Sequence, residues 1–131
     1  MGCPTTTRLR VLVVDDSADY RAAVSRLIAT YPQVETAAEA ASASEALSRM
    51  GLASPDLLLI DVAMPEVNGL ELTRAIKALP QPPKVIIVTL YDTPTYREAA
   101  RAAGADGFLG KSQLGDDLPG LMARLFPQSL G

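Results

Sequence analysis

Polar side chains follow four apolar runs of this sequence: Asp15-Asp16, Asp61, Thr89 and Lys111. Together they could bind and stabilise a phosphoryl group. In an open α/β sheet, ligands bind beyond the carboxyl ends of the strands, so these side chains converge if the first strand is central. Three neighbouring carboxylates repel one another, and a divalent cation relieves that repulsion. Magnesium suits carboxylate and carbonyl oxygens, so we expect it as the cofactor.

The absence of histidine narrows the chemistry of such a pocket. The chain of 131 residues has no histidine and a single cysteine, Cys3. This excludes Ser-His-Asp and Cys-His catalysis, zinc sites that use imidazole, and an intramolecular disulfide. An oxygen-lined magnesium pocket with a lysine and a hydroxyl can stabilise a transferring phosphoryl group. Without a histidine base, a carboxylate would itself be the nucleophile.

Charge and hydropathy limit the partners. The net charge is −3 and the basic residues are scattered, so we expect no direct contact with nucleic acid. No apolar leader or run of membrane-spanning length is present, which predicts a cytoplasmic protein without membrane contact.

Apolar runs alternate with helical patterns along the chain, which is typical of a parallel sheet covered by helices on both faces. Strands are predicted at residues 9–14, 34–40, 56–60, 84–89 and 106–109. The helix after the second strand is predicted to turn Leu47 inward and to end at Gly51, and the next to turn Leu79 inward. Pro119 is predicted to lie in the first turn of the last helix, where proline is tolerated.

In this order and at these separations, the polar residues resemble the receiver domains of two-component response regulators. The matching motifs are Asp15-Asp16, DVAMPEVNG at 61–69, Thr89 and GADGFLGK at 104–111. The resemblance covers residues 9–126. It implies an α/β, flavodoxin-like (CheY-like) (βα)5 fold, a doubly wound parallel sheet of five strands in the order 2-1-3-4-5. We therefore expect 1–131 to be a single receiver domain with tails at 1–8 and 127–131.

The resemblance also implies a phosphoacceptor and a metal site. Asp61 would accept a phosphoryl group from the phosphohistidine of a histidine kinase or phosphotransfer protein. Magnesium would be held by Asp15, Asp16, Asp61 and the backbone carbonyl of Ala63. The chain would thus be a signalling phosphoacceptor that catalyses only its own phosphorylation and dephosphorylation, and not an enzyme for other substrates.

The remaining matches imply a switch. Lys111 would pair with one phosphoryl oxygen, and Thr89 would hydrogen-bond another. Phe108 would turn inward as Thr89 moves, which changes the face formed by the fourth helix, the fifth strand and the fifth helix. Such a change would control partner binding or formation of a homodimer.

Two positions depart from the family pattern. Ser112 stands where proline is usual, which resembles the NarL/FixJ-type group, whose receivers commonly precede a helix-turn-helix DNA-binding domain. Leu90 is larger than the residue usual after the threonine and could crowd the site. These departures motivate an alternative, a degenerate receiver that acts as a phosphorylation-independent interaction module. A stand-alone magnesium phosphohydrolase is a weaker alternative, because no Asp-x-Asp nucleophile motif is visible.

The segment ADGFLGKS at residues 105–112 also fits a relaxed phosphate-loop pattern. A phosphate loop needs a strand before it and a helix after it, with a metal-binding aspartate later in the chain. Here the apolar residues 107–109 stand inside the would-be loop, so the sequence favours a strand at that place and not a nucleotide site.

Overall fold

The computed structural model describes residues 8–64 and 67–127. Most of the two predicted tails, and Pro65 and Glu66 of the 61–69 motif, lie outside the described residues. Five strands alternate with five α-helices in the described part: β1 (Leu9–Val14), α1 (Ala18–Ile28), β2 (Val34–Ala40), α2 (Ala43–Ala53), β3 (Leu57–Ile60), α3 (Gly69–Lys77), β4 (Lys84–Thr89), α4 (Pro94–Ala102), β5 (Gly107–Gly110) and α5 (Leu114–Leu125). A short 3-10 turn, Lys111–Gln113, joins β5 to α5. None of the described helices is both long and apolar enough to cross a bilayer.

The strands form one sheet in the order β2-β1-β3-β4-β5, and every neighbouring pair is parallel. The expected doubly wound sheet is confirmed. Val14, the last residue of β1, pairs with Ile60, the last residue of β3. Thr89 pairs with Gly110 in the same way. This register places the residue after β1 beside the residue after β3, and Thr89 beside the residue that precedes Lys111.

Two apolar clusters, one on each face of the sheet, form the core. The first cluster joins Val11 and Val13 of β1 to apolar residues of α1 and α5. The second joins Leu12 and Val14 of β1 to apolar residues of α2 and α3. Because side chains alternate along a strand, β1 is apolar throughout and contributes to both clusters.

Two residues that were predicted to face the core are exposed. Leu47 is 47% exposed, because the buried face of α2 is the narrow stripe of Ala43, Ala46 and Ala53. This helix also continues through Gly51 and ends at Ala53, and the C-cap residue Ser54 adopts a left-handed conformation with φ of 46°. Leu79 lies beyond the end of α3 and is exposed.

The predicted place of Pro119 in a first turn is also wrong, since α5 begins at Leu114 and contains the proline in its interior. Leu114 is buried in the first core cluster, and its burial favours an early helix start. Proline removes the hydrogen bond to the carbonyl four residues earlier. Gly115 and Pro119 are both exposed, so water can reach the carbonyl that lost its partner.

Candidate functional site

The loop after β1 is held in a fixed conformation. The amide of Ser17 donates to Asp15 Oδ1 at 2.8 Å, and the amide of Asp15 donates to the carbonyl of Ala40 at 3.0 Å. Ser17 is also the N-cap of α1, whose Oγ accepts from the amide of Tyr20. These bonds bury the Asp15 side chain, while the neighbouring Asp16 stays exposed.

The three aspartates meet as the register predicts. Asp15, Asp16 and Asp61 each offer a carboxylate oxygen, and these atoms lie within 4.8 Å of one another. Such a set of hard oxygen donors fits magnesium, and the exposed side of Asp16 leaves room for the waters that magnesium retains. The amide of Ala63 donates to Asp61 Oδ1 at 3.4 Å. That the backbone carbonyl of Ala63 binds the metal stays a prediction.

Asp61 is buried, with only 6% of the residue exposed. Burial raises the pKa of the Asp61 carboxyl, and the charge of Asp15 raises it further. Lys111 and the Ala63 amide oppose this shift without cancelling it. The carboxylates therefore carry a repulsion that a bound cation would relieve.

The chain after Asp61 depends on a close approach to Gly69 at the start of α3. A Cβ atom at this position would lie 2.2 Å from the carbonyl oxygen of Asp61. Only glycine leaves room for the backbone of Asp61 here. Asn68 then begins the helix as its N-cap and accepts from the amides of Leu70 and Glu71.

Lys111 reaches the carboxylates from the start of the turn after β5. Its Nζ lies 2.8 Å from Asp15 Oδ2 and 3.5 Å from Asp61 Oδ2, and 13% of its side chain is exposed. The ammonium thus supplies positive charge to two buried aspartates. The residues 107–110 before it form β5, so the phosphate-loop alternative is wrong.

Thr89 and Phe108 occupy the neighbouring part of the sheet. Thr89 is fully buried at the end of β4, and its Oγ1 accepts from the amide of Tyr91 at 3.1 Å. Phe108 is half-buried, and the guanidinium carbon of Arg97 lies 4.8 Å from its ring centre. Leu90 is 74% exposed, so most of its side chain lies outside the buried part of the site.

Sequence reasoning missed two residues of α1 that belong to the site. The Tyr20 ring lies 4.1 Å from Lys111 Nζ. Burial, then Asp15 and Asp61, raise the pKa of Tyr20 to about 12. Arg21 donates through Nη1 to the carbonyl of Asp15 at 2.6 Å. Both residues stand just after Asp15-Asp16, and that adjacency at a helix start was the available signal.

The fold and the acidic edge together define an α/β domain of the CheY-like class. Comparison with known families makes this more specific: the model of the response regulator receiver domain matches residues 11–122. The chain belongs to the response regulator receiver domain family of two-component systems.

Two relatives illustrate the relationship. The transcriptional regulatory protein DegU of Brevibacillus brevis is 30% identical over 111 residues, which are 85% of this chain and 47% of DegU. A protein-glutamate methylesterase/protein-glutamine glutaminase of Agrobacterium fabrum is 37% identical over 113 residues, which are 84% of this chain and 32% of that protein. The chain thus spans less than half the length of these two relatives.

This chain is also similar to the solved structure of a LuxR-family two-component response regulator from Aurantimonas sp. SI85-9A1. The match has a TM-score of 0.85 and 29% sequence identity, and it covers 92% of this chain and 86% of that chain.

Proposed function

We propose that Asp61 accepts a phosphoryl group from the phosphohistidine of a histidine kinase or phosphotransfer protein, in a reaction that depends on magnesium. The observation that carries the proposal is the group of three carboxylates within 4.8 Å, with the Lys111 ammonium 3.5 Å from Asp61. A buried carboxylate that lies beside an ammonium and a set of oxygen ligands for a divalent cation is suited to receive a phosphoryl group, whose oxygens are negatively charged.

The transfer forms one bond and breaks one. A carboxylate oxygen of Asp61 attacks phosphorus, and the bond between phosphorus and the imidazole nitrogen of the partner breaks. The imidazole keeps the electron pair of that bond, and Asp61 becomes an acyl phosphate. Asp61 must be ionised to attack, and the Lys111 ammonium favours this form although burial opposes it.

The acidic residues around Asp61 would hold the metal. Asp16 is the exposed carboxylate of the cluster, whereas Asp15 and Asp61 are buried, so Asp16 faces the side from which a hydrated ion would arrive. Bound magnesium would supply charge neutralisation for the carboxylates and the phosphoryl oxygens. Arg21 holds the carbonyl of Asp15 at 2.6 Å and so fixes the loop that carries both ligands.

Phosphorylation would be communicated through Thr89 and Phe108. The Thr89 hydroxyl accepts from the Tyr91 amide and keeps its own proton for a phosphoryl oxygen on Asp61. Movement of Thr89 would open space for the half-buried Phe108 to turn inward. The Arg97 guanidinium, which lies over the Phe108 ring, would then lose this contact. The face of α4, β5 and α5 would change for a partner protein or a second copy of the chain.

We further propose that the chain acts as a phosphoacceptor and not as an enzyme for other substrates, in the cytoplasm where a kinase can reach it. The degenerate receiver was an alternative partly because Leu90 could crowd the site. Leu90 is 74% exposed, which weakens this motivation for the alternative.

The experiment is intact-mass measurement after incubation with magnesium and acetyl phosphate. The wild type should gain one phosphoryl group, while Asp61→Asn and a wild-type sample with excess chelator should not. Asp19→Asn is the matched control, because Asp19 lies exposed in the first turn of α1 and should be phosphorylated like the wild type. An adduct that survives in Asp61→Asn would contradict the proposal.

A further inference from the structure

Lys111 has a neighbour besides the two carboxylates, the aromatic ring of Tyr20. Lys111 Nζ lies 4.1 Å from the centre of this ring, and only 13% of the lysine side chain is exposed. An ammonium over an aromatic ring is attracted by the negative face of the ring, and more strongly where water is excluded. The ring therefore contributes to where the ammonium lies.

The start of α1 fixes the ring relative to the acidic loop. The amide of Tyr20 donates to Ser17 Oγ at 3.2 Å, and the amide of Ser17 donates to Asp15 Oδ1 at 2.8 Å. The Tyr20 ring packs on the same core cluster as Leu114, the residue that follows the Lys111–Gln113 turn. The ring is thus held from both the acidic side and the lysine side of the site.

The hydroxyl group of Tyr20 does not explain why a tyrosine lies beside Lys111. Tyr20 Oη is buried and has no hydrogen-bond partner among the residues that the structure describes. A buried hydroxyl without a partner is unfavourable. The favourable contribution of Tyr20 at this position therefore comes from its ring, and phenylalanine should supply it equally well.

We propose that Tyr20 is a positioning residue for phosphoryl transfer to Asp61, whose ring holds the Lys111 ammonium between Asp15 and Asp61. The role of the lysine rests on the proposed function, whereas the contact of ring and ammonium rests on the geometry alone. Without the ring, the ammonium can leave Asp61 for water or for Asp15, which is already closer, at 2.8 Å against 3.5 Å. The acyl phosphate then forms more slowly although Asp61 and the metal ligands are unchanged.

The test compares Tyr20→Phe, which keeps the ring, with Tyr20→Leu, which removes it. With magnesium and acetyl phosphate, the Phe variant should be phosphorylated within about twofold of the wild-type rate, and the Leu variant about fivefold more slowly. Tyr31→Leu is the matched control. Tyr31 packs against the same cluster and also has a buried hydroxyl without a partner in the described residues, so this variant should lose stability but keep the wild-type rate.

A second measurement reads the contact without any phosphorylation. In proton NMR spectra, the ring should shift the ε-methylene signal of Lys111 upfield in the wild type and in Tyr20→Phe, and this shift should vanish in Tyr20→Leu. In a Lys111→Met background, Tyr20→Leu should cause no further slowing, because the interaction partner is gone.

The proposal is overturned if Tyr20→Leu reacts at the wild-type rate, if Tyr31→Leu slows the reaction equally, or if the slowing persists in the Lys111→Met background. If the wild type accepts no phosphoryl group, the proposed function fails, and the lysine signal alone then decides whether the ring holds the ammonium.

Discussion

At the scale of single residues, the energetics of the site are dominated by negative charge that is buried at Asp61. The pKa of this carboxyl is raised above its ordinary value by burial and then by Asp15. A group whose pKa is raised by folding stabilises the folded state below its unfolded pKa, and this contribution is lost as the pH rises through the folded pKa. At neutral pH, ionised Asp61 therefore disfavours the folded state when no metal is bound.

We expect Asp61→Asn to raise the free energy of unfolding by about 1 kcal/mol at pH 7 in metal-free buffer, because it removes the repulsion with Asp15. Urea unfolding of both proteins between pH 4 and pH 7 checks this, with the range set by the ordinary carboxyl pKa of about 4. The advantage of the Asn variant should grow as the pH rises. A difference in stability that is independent of pH would show that the ionised carboxylate carries no such cost.

Sequence reasoning found Asp15, Asp16, Asp61 and Lys111 because each follows an apolar strand, and parallel strands end at a common edge. It did not find Tyr20, whose contact with Lys111 depends on how α1 packs beside the turn after β5. The type and spacing of residues do not specify such a tertiary contact between distant parts of the chain.

At the scale of elements, the start of α3 lies so close to Ile60 and Asp61 that its first residue must be glycine. A Cβ at Gly69 would meet the Asp61 carbonyl at 2.2 Å and Ile60 Cγ2 at 2.9 Å. Backbone atoms cannot yield as a flexible side chain can, so the loop that carries Asp61 would have to move.

Gly69→Ala should therefore lower the free energy of unfolding by about 3 kcal/mol and displace Asp61. Thermal and urea unfolding measure the loss of stability. The matched control is Gly51→Ala in α2, where a Cβ would meet nothing within 4 Å. This control should gain about 0.5 to 1 kcal/mol from better helix propensity. Equal effects of the two substitutions would contradict the close approach.

Apolar runs that are bounded by polar residues or proline predicted β1, β2 and β4 with their observed ends. The helices were predicted less accurately, because apolar periodicity identifies a helix without fixing the width of its buried stripe. Leu47 is exposed since the alanines of α2 fill the contact with the sheet. Pro119 is tolerated inside α5 because it lies on the exposed side.

At the scale of the whole molecule, the proposed function requires the acidic edge to be coupled to the face of α4, β5 and α5 through β4 and β5. Thr89, the last residue of β4, pairs with Gly110 of β5. Two residues earlier on each strand, Ile87 of β4 pairs with Phe108 of β5. A displacement at the carboxyl edge thus has a short route to the surface of α4, β5 and α5. The strand β2 forms the opposite edge of the sheet. Its last residue, Ala40, accepts a hydrogen bond from the Asp15 amide, but the strand is not paired with β4 or β5.

We expect beryllofluoride with magnesium, as a phosphoryl mimic, to shift backbone amide signals around Asp61 and along α4, β5 and α5, while β2 and α2 change little. Two-dimensional NMR measures these shifts. Thr89→Ala should keep the shifts around Asp61 and lose those of α4 and β5, because the hydroxyl connects the two regions. Shifts of α4 and β5 that persist in Thr89→Ala would contradict this route.

Chemical trapping shows directly which residue carries the phosphoryl group. Borohydride reduces an aspartyl phosphate to homoserine, and peptide mass mapping then locates the modified residue. After incubation with magnesium and acetyl phosphate, we expect homoserine at Asp61, unmodified Asp15 and Asp16, and no homoserine when magnesium is chelated. Homoserine at Asp16, or at Asp61 without magnesium, would contradict this expectation.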